Sequence, residues 1–183
     1  MKVPQVLIPV AHGSESLETV TLVNVLRRAK ISVLLASIER GKTVTGTRDI
    51  PLVADTLFKD VARKKFDAII LPGGEKGAAA FAKHAALMEK VAAQRMAHKW
   101  YGGICAAPAL ALSPHGLLDG KQATCFPAFR DRLIHYVNQP VVVDGHCITS
   151  QGPATAIAFA LKLVELLAGE ARRREVAQAL LAA

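Results

Sequence analysis

The sequence predicts an α/β protein, an open and mostly parallel sheet with helices on both faces, in a single domain spanning residues 1–183. Three observations carry this. Short apolar runs alternate with stretches of helical periodicity along the whole chain. Runs such as Q-V-L-I-P-V-A at 5–11 and A-I-I-L at 68–71 are apolar at consecutive positions, as strands covered on both faces must be. The turns able to carry chemistry all follow strands, and open α/β sheets gather their sites at strand carboxyl ends.

Each element has its own signal. Residues 5–11 form the first strand, with Pro9 awkward because it brings no ladder donor. His12-Gly13-Ser14-Glu15-Ser16 is a turn, with Ser14 or Ser16 expected to cap a helix over 17–29, where Val20, Val23 and Leu26 recur at helical spacing. A second strand covers 31–38, a hairpin-like turn at 39–42 leads into Thr43–Thr45, and 48–54 reads as irregular to extended. A short amphipathic helix within 55–65 precedes the strand at 68–71, which ends in Pro72-Gly73-Gly74. Helices over 77–83 and 85–98 lead to an apolar strand ending at Gly103-Ile104-Cys105-Ala106-Ala107-Pro108, then a helix to about Leu112. Residues 122–126 read as a short strand, 141–150 as a hairpin, 151–168 as a long apolar helix and 171–181 as a final helix.

Composition narrows the function classes. With 183 residues and 51% hydrophobic content the chain can bury a full core. No apolar run approaches the roughly 20 residues that span a bilayer, and Met1–Gln5 lacks a small-residue cleavage site, so neither a membrane segment nor a signal peptide is expected. The formal charge of +8 invites nucleic acid, but aromatics are only 5%, so basic runs such as Arg63-Lys64-Lys65 have no stacking platforms beside them. They read as solvated faces. Cys105, Cys125 and Cys147 are odd in number and without metal-ligand spacing, which predicts free thiols in a reducing compartment, the cytoplasm. No metal site and no phosphate cradle is expected, and no cofactor.

Chemistry concentrates in three loops that the topology brings to one sheet edge: His12–Glu18, Pro72–Gly74 and Cys105–Pro108. Small alanines after Cys105 let the backbone turn sharply, and Pro108 suits an early helical position where a missing N–H is harmless. A nucleophile on such an elbow is lifted out of the sheet, and the helix start is expected to bring its thiol below the ordinary 8.5 or so. A free cysteine is also among the most buried residue types; the elbow favours reactivity. Glu18 is either a helix-start carboxylate that complements the dipole or a desolvated carboxyl facing Cys105, kept neutral and able to exchange protons, and Glu15 competes for that role. Backbone N–H groups of Gly74 and Ala106 suit an oxyanion hole. His12 and His115 lie near the site edge, but no histidine follows Cys105 directly.

Taken together and in order, the motifs resemble the ThiJ/PfpI superfamily, in its DJ-one and YajL-like branch. They are Gly13-Ser14-Glu15 with Glu18-Thr19, Arg27-Arg28-Ala29, Thr47-Arg48-Asp49, Leu71-Pro72-Gly73-Gly74, Ile104-Cys105-Ala106-Ala107-Pro108 and Thr149-Ser150-Gln151-Gly152-Pro153. The resemblance implies a flavodoxin-like sandwich acting as a homodimer, with Cys105 as nucleophile, Glu18 as its protonated partner, and Gly74 and Ala106 amides as oxyanion donors. Glu15, Gly73, Phe126 and Pro153 would line the pocket. Arg48 would reach across the interface toward the partner's site, with Arg28 near that interface. The implied activity is that of a glyoxalase or deglycase on α-oxoaldehydes or their adducts; the implied alternative is a redox-responsive chaperone or oxidative-stress sensor whose cysteine becomes a sulfinate. Human-type members carry a histidine where this chain has Phe126, which leaves Cys105 and Glu18 as the reacting pair.

Overall fold

Consecutive apolar positions in the strands follow from the layering. The computed structural model describes residues 3–182; Met1, Lys2 and Ala183, part of the expected domain, lie outside the described residues. In chain order the elements are β1 (Gln5–Val10), α1 (Ser16–Arg28), β2 (Ser32–Ser37), β3 (Thr43–Thr45), β4 (Pro51–Val53), β5 (Thr56–Leu57), α2 (Phe58–Val61), β6 (Ala68–Leu71), α3 (Glu75–Lys83), α4 (Ala85–Met96), β7 (Trp100–Ile104), β8 (Val141–Asp144), β9 (Cys147–Ser150), α5 (Ala156–Ala168) and α6 (Glu170–Ala179). Seven strands form one sheet in the order β5-β2-β1-β6-β7-β9-β8, parallel except for the β8–β9 hairpin at its edge. This is the flavodoxin-like arrangement expected.

Each central strand feeds both layers. Val6, Ile8 and Val10 of β1 pack with Ala68 and Ile70 of β6 under Leu22, Val25 and Leu26 of α1 and Phe159, Leu163 and Val164 of α5. Leu7, Ile69 and Leu71 point the other way, into Phe58, Phe81, Leu87 and Val91 of α2, α3 and α4. Alternate residues of one strand therefore enter opposite cores, and Val6–Val10 and Ala68–Leu71 are apolar throughout. Pro9 is accommodated because the β1–β6 ladder covers only Val6 and Leu7, and Pro9 lies beyond it.

Four expectations change. The cap of α1 is neither Ser14 nor Ser16 but Glu15, whose side chain accepts from the Leu17 N–H at 3.3 Å; Ser14 Oγ instead accepts from Ala11 N–H. Residues 43–53 are more regular than expected, since β3 and β4 pair as a separate antiparallel hairpin. Residues 122–126 do not form a strand, because the place beside β7 is taken by β9; they retain one isolated bridge, Ala123 to Tyr136. The helix after Cys105 is a short π-helical turn over Pro108–Leu112, followed by a 3₁₀ turn.

Candidate active site

The loops after β1, β6 and β7 lie side by side, because those three strands are neighbours in the sheet. Cys105 follows β7 directly with φ of 62°, a left-handed conformation that an L-residue adopts at roughly 1–2 kcal/mol. Two backbone bonds hold it there. Its N–H donates to Ser150 O at 2.9 Å, and its carbonyl accepts from the Phe126 N–H at 2.8 Å. The side chain is thrown outward from this clamp, is only partly buried, and packs against both hydrophobic layers.

Glu18 comes from the first turn of α1 and is fully buried. Two bonds tie the α1 start to the β6 loop: Glu15 N–H donates to Gly73 O (2.9 Å), and Gly73 N–H donates to Glu18 Oε2 (2.8 Å). The competition between the two carboxylates is thereby resolved, with Glu15 as the cap and Glu18 as the inward group. Gly73 is the spacer between acid and thiol. A Cβ on it would lie 2.5 Å from Cys105 Cβ, 2.6 Å from Glu18 Oε2 and 3.0 Å from Cys105 Sγ, so no larger residue fits between them.

Burial raises the Glu18 carboxyl from its usual 4.5 to about 7, opposed by the Gly73 N–H and the Cys105 contact and reinforced by the Glu15 charge. Glu18 Oε1 is buried and has no hydrogen-bond partner among the described residues, which suits a protonated carboxyl better than an anion. Burial, and then the charge of an ionised Glu18, push the Cys105 thiol up to about 12, while the Gly74 and Ala106 amides pull it down. The expectation that the helix start alone would depress this thiol is therefore corrected. The π-helical turn begins three residues beyond the sulfur and is too short for a strong dipole, and the sulfur faces a carboxyl instead. When Glu18 holds the proton its charge is gone, and the Gly74 and Ala106 amides are left to oppose the burial that disfavours thiolate.

The other expected residues divide. Phe126 is 41% exposed, with its ring against Gly152 and 6.3 Å from the Phe129 ring. Pro153 opens the turn leading from Gly152 into α5. Arg28, bonded to Asn24 Oδ1 at 2.8 Å, and Arg48, in a left-handed turn between β3 and β4, stand outside the cluster of Glu18, Gly73 and Cys105. His12 Nδ1 accepts from Thr45 N–H and His115 Nε2 meets Ala82 O, so both rings serve loop structure. Ser150 belongs to the Thr149–Pro153 motif, but the clamping of Cys105 by its carbonyl is not read from local pattern, because the β7–β9 register is a long-range pairing. Among the described residues no group of three His, Cys, Asp or Glu side chains could hold a metal, and no helix is long and apolar enough to cross a membrane.

A parallel α/β sheet with a strained cysteine on its strand-to-helix elbow, facing a buried acid, defines the class of elbow-cysteine proteins on a flavodoxin-like fold. The chain belongs to the DJ-1/PfpI family, whose family model matches residues 4–166. It is 43% identical over 180 residues to Protein DJ-1 homolog B of Arabidopsis thaliana, covering 97% of this chain and 41% of that protein. The chain spans less than half the length of the two Arabidopsis relatives, 41% and 46%. Glutathione-independent glyoxalase DJR-1.2 of Caenorhabditis elegans is 36% identical over 170 residues, 90% of this chain and 88% of that protein. The solved structure of oxidized Toxoplasma gondii DJ-1 superposes with a TM-score of 0.97 at 38% identity, covering 99% of this chain and all of that one.

Proposed function

We propose that the chain is a cofactor-free enzyme of the glyoxalase or deglycase type, acting on α-oxoaldehydes or their adducts through Cys105 and Glu18. The observation that carries this reading is the buried Glu18 carboxyl, with a pKa of about 7, held against the elbow sulfur across Gly73. A group of that pKa is suited to giving and taking protons at neutral pH. The pair shares one proton. The carboxyl is fully buried with an unpartnered oxygen, while the sulfur is more exposed and faced by two amides. The reacting form is the one reached when Cys105 passes its proton to the Glu18 carboxylate, leaving the charge on the sulfur and the neutral acid buried.

Thiolate adds to the aldehyde carbon, and the alkoxide that forms takes a proton from Glu18, giving a hemithioacetal. Gly74 and Ala106 amides stabilise the transient oxyanion. Glu18, now carboxylate, removes the hydrogen from that carbon and delivers it to the adjacent carbonyl carbon as the hydroxyl proton moves between the two oxygens. The first carbon is thereby oxidised and the second reduced. Water then breaks the resulting thioester, releasing a 2-hydroxy acid and the thiol. One water is consumed and no outside oxidant is required. Lactate formation from methylglyoxal tests this: Cys105→Ser and Glu18→Gln are expected to abolish it, and activity surviving in Cys105→Ser refutes it.

A second reading, oxidation of the same sulfur to sulfinate by two equivalents of peroxide, is favoured by the two amides and the acid that would hold the added oxygens. Oxidation confined to Cys105 in intact-mass and peptide analysis supports it; spread to the buried Cys125 and Cys147 counts against it. We also propose a homodimer. Val20 of α1 and Val53 of β4 are exposed apolar residues that line a groove of about 640 Å³ with Arg27, Arg28 and Pro51, and Leu17 of α1 and Ile50 before β4 are exposed as well.

A further inference from the structure

The mechanism above uses nothing of Phe126, yet the nucleophile's own backbone holds this residue in place. Its N–H is the donor to the Cys105 carbonyl, and Ser150 clamps the Cys105 N–H from the other side. The Phe126 ring spans from its own segment toward the one that follows Ser150, where its Cδ2 would lie 3.4 Å from a Cβ on Gly152. The ring thus stands on the segment bonded to the Cys105 carbonyl and beside the one that follows Ser150. Behind it stands Phe129, with ring centroids 6.3 Å apart and planes inclined by 52°. The two rings make an apolar corner, and 41% of Phe126 is left open to solvent. On the same turn Arg130 and Asp131 are paired with one another at 3.6 Å, and Arg132 ends it.

We infer that Phe126 is a specificity-determining residue, and that the preferred substrates are α-oxoaldehydes whose ketone carbon carries an aromatic or bulky apolar group. This rests on the proposed Cys105 chemistry, the substituent of a Sγ-bound substrate being the group that would meet the ring on the segment bonded to the Cys105 carbonyl. A methyl substituent leaves the ring face wet. A phenyl substituent covers it and removes apolar area from water on both partners. Discrimination of about 10- to 100-fold is what one apolar contact of this kind supplies.

The test separates binding from turnover. Bromoacetone and 2-bromoacetophenone each alkylate a thiolate by displacement: the S–C bond forms, the C–Br bond breaks and bromide leaves. Only the methyl or phenyl group differs between them. Rates at Cys105, located by peptide mapping, are divided by those for N-acetylcysteine to remove intrinsic reactivity. The normalised preference for the phenyl reagent is expected to be about tenfold or more in the parent protein, retained largely in Phe126→Leu and close to one in Phe126→Ala. Equal preference in the parent and Phe126→Ala overturns the inference, whatever the turnover. Loss of preference in Phe126→Ala supports it even where neither methylglyoxal nor phenylglyoxal is converted to its hydroxy acid; that second result would instead remove the proposed reaction. Where both are converted, kcat/KM for phenylglyoxal over methylglyoxal should fall in Phe126→Ala in step with the alkylation ratio.

Discussion

Glu18 makes the folded protein less stable as pH rises, and Glu18→Gln should remove that dependence. In the unfolded chain the carboxyl titrates near 4.5; in the folded chain burial lifts it to about 7. Between those values the native state holds a proton that the unfolded state has lost, so stability falls with rising pH across the window and levels off above it. Each pH unit of displacement is worth about 1.36 kcal/mol, so the rise from 4.5 to about 7 amounts to roughly 3 kcal/mol by pH 8. Less than about 1 kcal/mol of this is present at pH 5. The measurement is urea unfolding from pH 5 to 8.5 of Cys105→Ser and of Cys105→Ser with Glu18→Gln, the serine leaving Glu18 as the sole titrating member of the pair. Glutamine keeps an oxygen for the Gly73 N–H and stays neutral. The double variant should gain about 2–3 kcal/mol relative to the single variant between pH 5 and pH 8. A gap that stays constant over that range would refute a neutral, desolvated Glu18 and with it the proton shuttle.

Gly73→Ala forces a methyl between Glu18 and Cys105; Cys105 alkylation should slow by about 100-fold, with about 1–3 kcal/mol lost in denaturant unfolding. Cys105→Gly should be more stable than Cys105→Ala by about 1 kcal/mol, because only glycine occupies a φ of 62° without strain; the reverse order would show that the elbow relaxes on substitution. Tyr101→Phe removes a buried hydroxyl that donates to Leu117 O at 2.8 Å, and should lower stability by about 1–2 kcal/mol without changing Cys105 alkylation. Val20→Asp with Val53→Asp places charges on the exposed apolar surface of α1 and β4; sedimentation should show monomers where the parent protein sediments as a dimer, and a dimer surviving both changes would exclude that surface.

How much of this was legible beforehand depends on the range of the interaction. The alternating layers, the three loops on one edge and the elbow at Cys105 follow from local patterns: apolar runs, Gly-Gly after a strand, small residues and Pro108 before a turn. The choice between Glu15 and Glu18 was not local. It required the bonds from the α1 start to Gly73, between residues distant in sequence but one strand apart in the sheet. The missing strand at 122–126 is of the same kind, since nothing in Gln122–Phe126 tells that β9 already occupies the neighbouring position. The thiol is the sharpest case. A helix start predicts a lowered pKa, whereas its actual environment is set by burial and by a carboxyl brought in from 87 positions earlier in the chain.

Three departures from local regularity converge on one place. Cys105 sits in a left-handed conformation, Glu18 is buried with an oxygen left unpartnered, and Gly74 turns at φ of 84°. The first two lower stability and would be relieved by a glycine at the elbow and a glutamine for the acid, whereas Gly74 takes its φ without strain and has no room for a Cβ, which would run into Gly13 O. Left-handed residues also occur at Lys30, Arg48, Asp49, His98 and Leu181, and Thr124 Oγ1 is likewise buried without a partner among the described residues, while Asp55 and Asp144 are paired with Arg27 and Lys121. What sets the three adjacent loops apart is that a left-handed cysteine, a buried acid and a glycine with no room for a side chain meet at one sulfur. Those three groups sit around a single sulfur, and a stabilised replacement of any one removes either the nucleophile, the proton donor or the geometry that joins them. Retaining all three together is what a reactive site requires and what a merely structural cysteine does not.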